Sequence, residues 1–75
     1  MSRIVLRSWS PGLQKISLVH VLREEAGLSL TAAKESVDDL LAGKVVTVDI
    51  PEERKPLTVA EQIRSLGVIC DIIGP

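Results

Sequence analysis

The chain has 75 residues, which is enough for one small domain with a thin core. Nine basic and ten acidic residues give a net charge of −1, so no global positive field draws the protein to a phosphate backbone. Hydrophobic residues make up 45% of the chain, which fits a folded protein, and the single aromatic residue, Trp9, weakens a role in base-stacking nucleic-acid binding.

Residues 3–9 alternate in the way that predicts a β-strand. One side of this strand is expected to carry Ile4, Leu6 and Ser8, and the other side Val5, Arg7 and Trp9. We expect Trp9 to cover the end of the sheet, with an interface anchor as the alternative. The Ser-Pro-Gly sequence that follows predicts a turn, because proline lacks an amide hydrogen and glycine accepts turn geometry.

Two helices are predicted next. The first spans about 13–26 and ends at Gly27, where a left-handed cap residue is expected. The second spans about 30–42, with Ser29 as its N-cap and Gly43 after its end. The helical period of the second helix predicts an inward side made of Leu30, Ala33, Val37, Leu40 and Leu41.

The rest of the chain predicts a strand over 44–50, a charged loop bracketed by prolines, a third helix and a last strand over 68–73. Thr58 and Glu61 match a capping box at the start of that helix, and Gly67 ends it. The sequence therefore predicts a single α/β domain over 1–75, of the α+β two-layer type. Its expected order is strand-helix-helix-strand-helix-strand, with a small three-stranded sheet covered on one face by three helices.

The first predicted helix contains more large apolar residues than a single buried stripe can hold. At about 100° per residue, Leu18 and Leu22 share a face, and Ile16 and Val19 lie to one side of it. One interpretation places Ile16 and Val19 in the core. The other interpretation is an exposed apolar patch of the kind found in protein interfaces. The polar residues around that patch would be Lys15, His20, Arg23 and Lys34.

The sequence from Lys15 to Lys34, KISLVHVLREEAGLSLTAAK, resembles the C-terminal domain of the bacterial ribosomal stalk protein, large-subunit protein seven/twelve. The spacing matches without gaps, and the closing segment from Gly67 is similar to the family's last strand. The resemblance implies a cytoplasmic, ribosomal-protein-like domain that recruits translational GTPases through the exposed side of the first helix and the start of the second. The positions that match this contact surface are Lys15, Ile16, Val19, Arg23 and Lys34.

The chain departs from the family at several points. His20, which we include in the partner-binding set, and Thr31 stand where the family usually has basic residues, and residues 45–56 are longer and more strand-like. The family's N-terminal dimerisation domain and hinge do not precede the first strand, which indicates a stand-alone relative. The partner, the oligomeric state and any association with ribosomes stay open. The middle segment also resembles the N-end-rule adaptor of the Clp protease, which implies peptide or chaperone binding as the alternative, although that adaptor's acidic peptide-binding signature is absent.

We expect no catalysis, cofactor or bound metal. His20 and Cys70 are the only candidates for an acid–base group and a nucleophile, and they are single residues on different elements. No metal-ligand spacing or glycine-rich phosphate loop occurs. Phosphate contacts by the basic residues of the first two helices would be few and weak, so we expect nucleic acid only through ribosome association. No apolar run approaches the roughly 20 residues of a membrane span, and a lone cysteine fits a reducing compartment.

Overall fold

The computed structural model describes residues 2–74, so Met1 and Pro75, the two ends of the expected domain, lie outside the described residues. Its helices and strands follow the predicted order and confirm the α+β fold. In chain order these are strand β1 (Ser2–Trp9), helix α1 (Lys15–Glu25), helix α2 (Leu30–Leu41), strand β2 (Val46–Ile50), helix α3 (Pro56–Ser65) and strand β3 (Val68–Ile73).

The three strands form one antiparallel sheet in the order β2-β1-β3. The three helices cover one face of this sheet, and α1 packs against both α2 and α3. The opposite face has no helix over it and is called the open face below. Its polar groups include two ion pairs, Arg3 with Asp49 and Arg7 with Asp71. An antiparallel sheet with one solvated face commonly shows such alternation of buried and polar residues.

The core lies between the sheet and the helices and consists of aliphatic side chains and one cysteine. Leu18 and Leu22 come from α1, and α2 and α3 supply one buried stripe each. The largest fully buried side chains are Ile4, Leu6, Leu18, Leu22, Leu40, Ile50, Val59 and Ile63. The core therefore stabilises the fold by burial of branched aliphatic groups, at about 25 cal/mol per Å² of apolar surface removed from water.

A β-bulge in β1 reverses the expected sides of Ser8 and Trp9. The pairing with β3 shifts between Leu6 and Ser8, so that Ser8 pairs with Ile69 and Trp9 pairs with Val68. Directly paired residues of an antiparallel sheet point to the same face. Ser8 therefore lies on the open face, and Trp9, which is 39% exposed, lies on the helix-covered face with the buried Val68. The alternation predicted beyond Arg7 was wrong because the bulge adds a residue to β1.

The predicted capping box at Thr58 was also wrong. Helix α3 begins at Pro56, Lys55 is its N-cap residue, and no side chain caps it. A proline fits the first turn because its fixed φ is helical and it has no amide hydrogen to satisfy there. The cap predicted for α2 is confirmed, because the Ala32 amide donates to the Ser29 hydroxyl at 3.1 Å.

Candidate functional site

Helix α1 has a buried side and an exposed side. Leu18 and Leu22 are buried against the sheet and the other helices, whereas Ile16 is 77% exposed. His20 follows Ile16 by one helical turn and is exposed as well. Residues one turn apart are neighbours on a helix surface. The structure thus places the large aliphatic side chain of Ile16 in solvent beside polar ones, as in the second of the two interpretations of this helix.

We call the outward surface of this helix the α1 face. Its members are Lys15, Ile16, Val19, His20 and Arg23, and all of them except Val19 are exposed. Arg23 lies one turn after Val19 and two turns after Ile16, so the guanidinium follows the apolar residues along the same side. The α1 face therefore combines an apolar centre with basic groups at both ends.

Val19 only partly meets the expectation that it faces solvent. The structure places it at intermediate exposure, and its side chain packs against the hydrophobic core. One flank of α1 turns toward the hydrophobic core, and Val19 lies on that flank. Val19 therefore belongs partly to the fold, and Ile16 is the fully available apolar group of the α1 face.

Helix α2, which packs against α1, contributes Lys34, and Lys34 is exposed as predicted. Leu30 lies one turn before Lys34 and is 44% exposed, although its place in the helical period predicted an inward side chain. That prediction was wrong because Leu30 is the first residue of α2, where the helix leaves the core. The sequence did contain one signal of this exposure, because Leu30 directly follows Ser29, the predicted N-cap of α2. The structure thus adds Leu30 to the apolar groups near the candidate site.

Among residues 2–74, no acidic side chain forms an ion pair with Lys15, Arg23 or Lys34. In residues 2–74 the ion pairs use Arg3, Arg7, Lys44 and Arg54 as their cations. Lys15, Arg23 and Lys34 are in none of these pairs. Their charges are therefore available to an acidic group on another molecule.

The positive charge of Lys15 is unfavourable for helix α1. It is the first residue of α1, no side chain caps this helix, and its first turn contains no acidic residue. A cation at the positive end of the helix dipole is unfavourable, typically by about 0.3–1 kcal/mol. The charge of Lys15 therefore does not stabilise α1 through the helix dipole.

Replacement of Lys15 with Glu is therefore expected to stabilise the isolated domain. The change removes an unfavourable charge and adds a favourable one, so the free energy of unfolding should rise by about 0.5–1.5 kcal/mol. Urea denaturation followed by circular dichroism measures this difference. Lys15→Gln is the matched control and should give about half the gain. A loss of stability in Lys15→Glu would show that Lys15 supports the fold.

Cys70 lies apart from the α1 face. Cys70 is buried in β3 with its Sγ 3.8 Å from the Ala60 carbonyl oxygen. Burial raises the pKa of the Cys70 thiol and outweighs the opposing effect of the nearby Arg64 guanidinium. Among residues 2–74, no group of three or more His, Cys, Asp and Glu side chains is placed to hold a metal. No helix in the described part of the chain has the length and apolar character to cross a membrane.

A shallow cleft of about 210 Å³ lies where the end of α1 meets the loop before α3. Arg54 connects the two elements: its Nε lies 3.5 Å from the Glu25 carboxylate, and its Nη2 donates to the Glu24 carbonyl oxygen at 3.4 Å. The cleft contains Glu25 and Glu53 but also Arg54 and Lys55. Two acidic and two basic side chains thus balance the charge of this cleft.

Comparisons of the chain with known protein families, with curated proteins and with solved structures find no match in any of the three.

Proposed function

We propose that this domain is a non-catalytic protein-interaction module that binds a partner, such as a translational GTPase, on the α1 face together with Lys34. The observation that carries the proposal is Ile16, which is 77% exposed among basic residues that form no ion pair within residues 2–74. An apolar centre with charges at its rim is the common composition of a protein interface.

The chemistry of the α1 face favours an acidic protein over a nucleic acid. Three cations supply steering toward acidic groups, and their effect falls with salt. Ile16 gains by leaving water only if the partner offers an apolar surface. A phosphate backbone offers none, so Ile16 would contribute nothing to nucleic-acid binding.

The resemblance of residues 15–34 to the ribosomal stalk domain supports a translational GTPase as the partner. The residues that would make the contact are the ones that the structure leaves accessible, with Val19 as the half-buried exception. Such a partner acts in the cytoplasm, so the proposal includes a cytoplasmic location.

The test is an amide chemical-shift titration of the labelled domain with a translational GTPase bound to a non-hydrolysable GTP analogue. We expect shifts over residues 15–23, at Leu30 and at Lys34, and weaker ones with the GDP form. Shifts confined to the open face of the sheet would reject the α1 face as the binding site. The absence of shifts at a saturating excess of GTPase would reject this class of partner.

A further inference from the structure

Strand β3 lies at the edge of the sheet and is unusually apolar for that position. Its sequence, VICDII, contains no basic residue and no proline. Ile69 is 56% exposed and Ile73 is 48% exposed, and both lie on the open face. Proteins commonly protect an edge strand with lysine, proline or a bulge, because its unpaired main-chain groups can bind another strand. Nothing in the sequence of β3 provides that protection.

The other edge of the sheet is different. Strand β2 presents Thr47 and Asp49 on the open face, both exposed, and Asp49 is held by Arg3 at 3.0 Å. Pro51 follows directly after β2. The exposed side chains of β2 are thus a threonine and a paired aspartate instead of isoleucines, and the proline directly after the strand discourages pairing at this edge. The two edges of the same sheet therefore differ in their capacity to accept a strand.

The single charge of β3 does not protect it either. The Asp71 carboxylate accepts a hydrogen bond from the Arg7 guanidinium of the central strand. This neighbour compensates the negative charge within the same sheet. An approaching strand therefore meets a neutral ion pair at Asp71, flanked by two isoleucines.

One side chain from outside the sheet reaches the middle of β3. The Arg64 guanidinium, at the end of α3, donates through Nη2 to the main-chain carbonyl oxygen of Cys70 at 3.1 Å. Arg64 stays exposed while it makes this bond. A hydrogen bond from a charged donor is stronger than a neutral one, so Arg64 holds this carbonyl against other donors.

We propose that the free edge of β3 is a strand-pairing surface for β3 of a second copy of this chain, and that Arg64 keeps it closed. Antiparallel pairing around Asp71 places Ile69 of one copy opposite Ile73 of the other, twice. Asp71 stays paired with Arg7 in each copy, so the two-fold axis has two neutral ion pairs next to it. The isoleucines match across the axis, and the Arg7 guanidinium of each copy offsets the repulsion between the two Asp71 carboxylates that face each other there.

The test is sedimentation velocity of Arg64→Ala beside the unchanged chain over a range of concentrations. Removing the donor opens the edge in both copies, so the dissociation constant of the dimer should fall by about a hundredfold to ten-thousandfold, the equivalent of two charged hydrogen bonds, one from each copy. Arg64→Lys, which keeps a donor, should behave like the unchanged chain. A monomeric Arg64→Ala protein at every concentration would overturn the proposal.

Two further variants locate the association. Arg64→Ala with Ile69→Lys should return to monomer, because a lysine then protects the β3 edge. Arg64→Ala with Thr47→Lys, the same change on the other edge, should remain a dimer. Loss of the dimer in the Thr47→Lys variant would place the contact elsewhere and overturn the proposal. If Arg64→Ala is unfolded by circular dichroism, Arg64→Gln, which keeps much of the aliphatic stem, takes its place in the same series.

These residues lie outside the α1 face, so this inference and the proposed function succeed or fail separately.

Discussion

Replacing Ile16 with Asp is expected to weaken binding of a translational GTPase by at least about thirtyfold, the effect of an interface hot spot. The change removes the exposed apolar centre of the α1 face and brings a carboxylate toward an acidic partner. The fold should not suffer, because Ile16 is 77% exposed and loses no core contact. The new carboxylate lies in the first turn of α1, where the helix dipole favours it, so the free energy of unfolding should stay equal or rise by up to about 1 kcal/mol. Calorimetric titration measures the binding, and urea denaturation measures the stability.

Leu57→Asp is the matched control for this experiment. Leu57 is 59% exposed and lies in the first turn of α3, as Ile16 lies in the first turn of α1. Leu57→Asp introduces the same charge in a first helical turn, so it should leave binding of the GTPase unaltered. If Leu57→Asp weakened binding as much as Ile16→Asp, charge alone would explain the result. Unchanged binding in Ile16→Asp would remove Ile16 from the interface.

Val19 cannot serve as the test residue, although it occupies the same face. A charge at Val19 would disturb side chains of the core against which it packs. Val19→Asp should therefore weaken binding and stability together, and a loss of binding would not distinguish a contact from unfolding. This difference between two neighbouring residues depends on how α1 is tilted against α2 and α3, which local sequence does not encode.

The order of helices and strands was predictable because local signals agree along this chain. Alternating residues mark the strands, and glycines that require positive φ mark the ends of the helices. Gly27 and Gly43 adopt φ of 70° and 89° after α1 and α2. Glycine adopts this left-handed conformation more readily than other residues because it has no Cβ atom. The fold class could thus be read from patterns that are only a few residues long.

The features that sequence patterns missed depend on long-range contacts or on competing local signals. The bulge in β1 exists only relative to β3, which is about sixty residues away in the chain. At the start of α3, Pro56 competed with the Thr58 capping box, and the proline determined the start. For the candidate site, the basic residues were predictable, but the exposure of Ile16 and Leu30 was not. Their exposure depends on which sides of α1 and α2 have no neighbour.

Gly67→Ala is expected to destabilise the domain more than alanine at Gly12, Gly27 or Gly43 does. Gly67 adopts φ of 97°, and a Cβ there would lie 3.2 Å from the Leu13 Cα atom. The left-handed conformation costs an alanine about 1 kcal/mol, and forcing two backbone segments apart adds about 1–3 kcal/mol. The expected total, about 2–4 kcal/mol, is a large part of the roughly 4–11 kcal/mol that holds together a domain of this size. Thermal unfolding should show a melting temperature lower by about 8–30 °C.

The loss of stability in Gly67→Ala should exceed the cost of the positive φ alone, because Gly67 lies where two loops contact each other. The Gly67 carbonyl oxygen accepts from the Ser10 amide at 2.9 Å, and the neighbouring Leu66 carbonyl accepts from the Gln14 amide at 3.0 Å. These bonds join the turn before β3 to the segment that leads into α1. Gly43→Ala is the matched control, since Gly43 adopts φ of 89° but has open space around its Cβ position. It should lose only about 1 kcal/mol. Equal losses in the two variants would show that the approach of Leu13 contributes nothing.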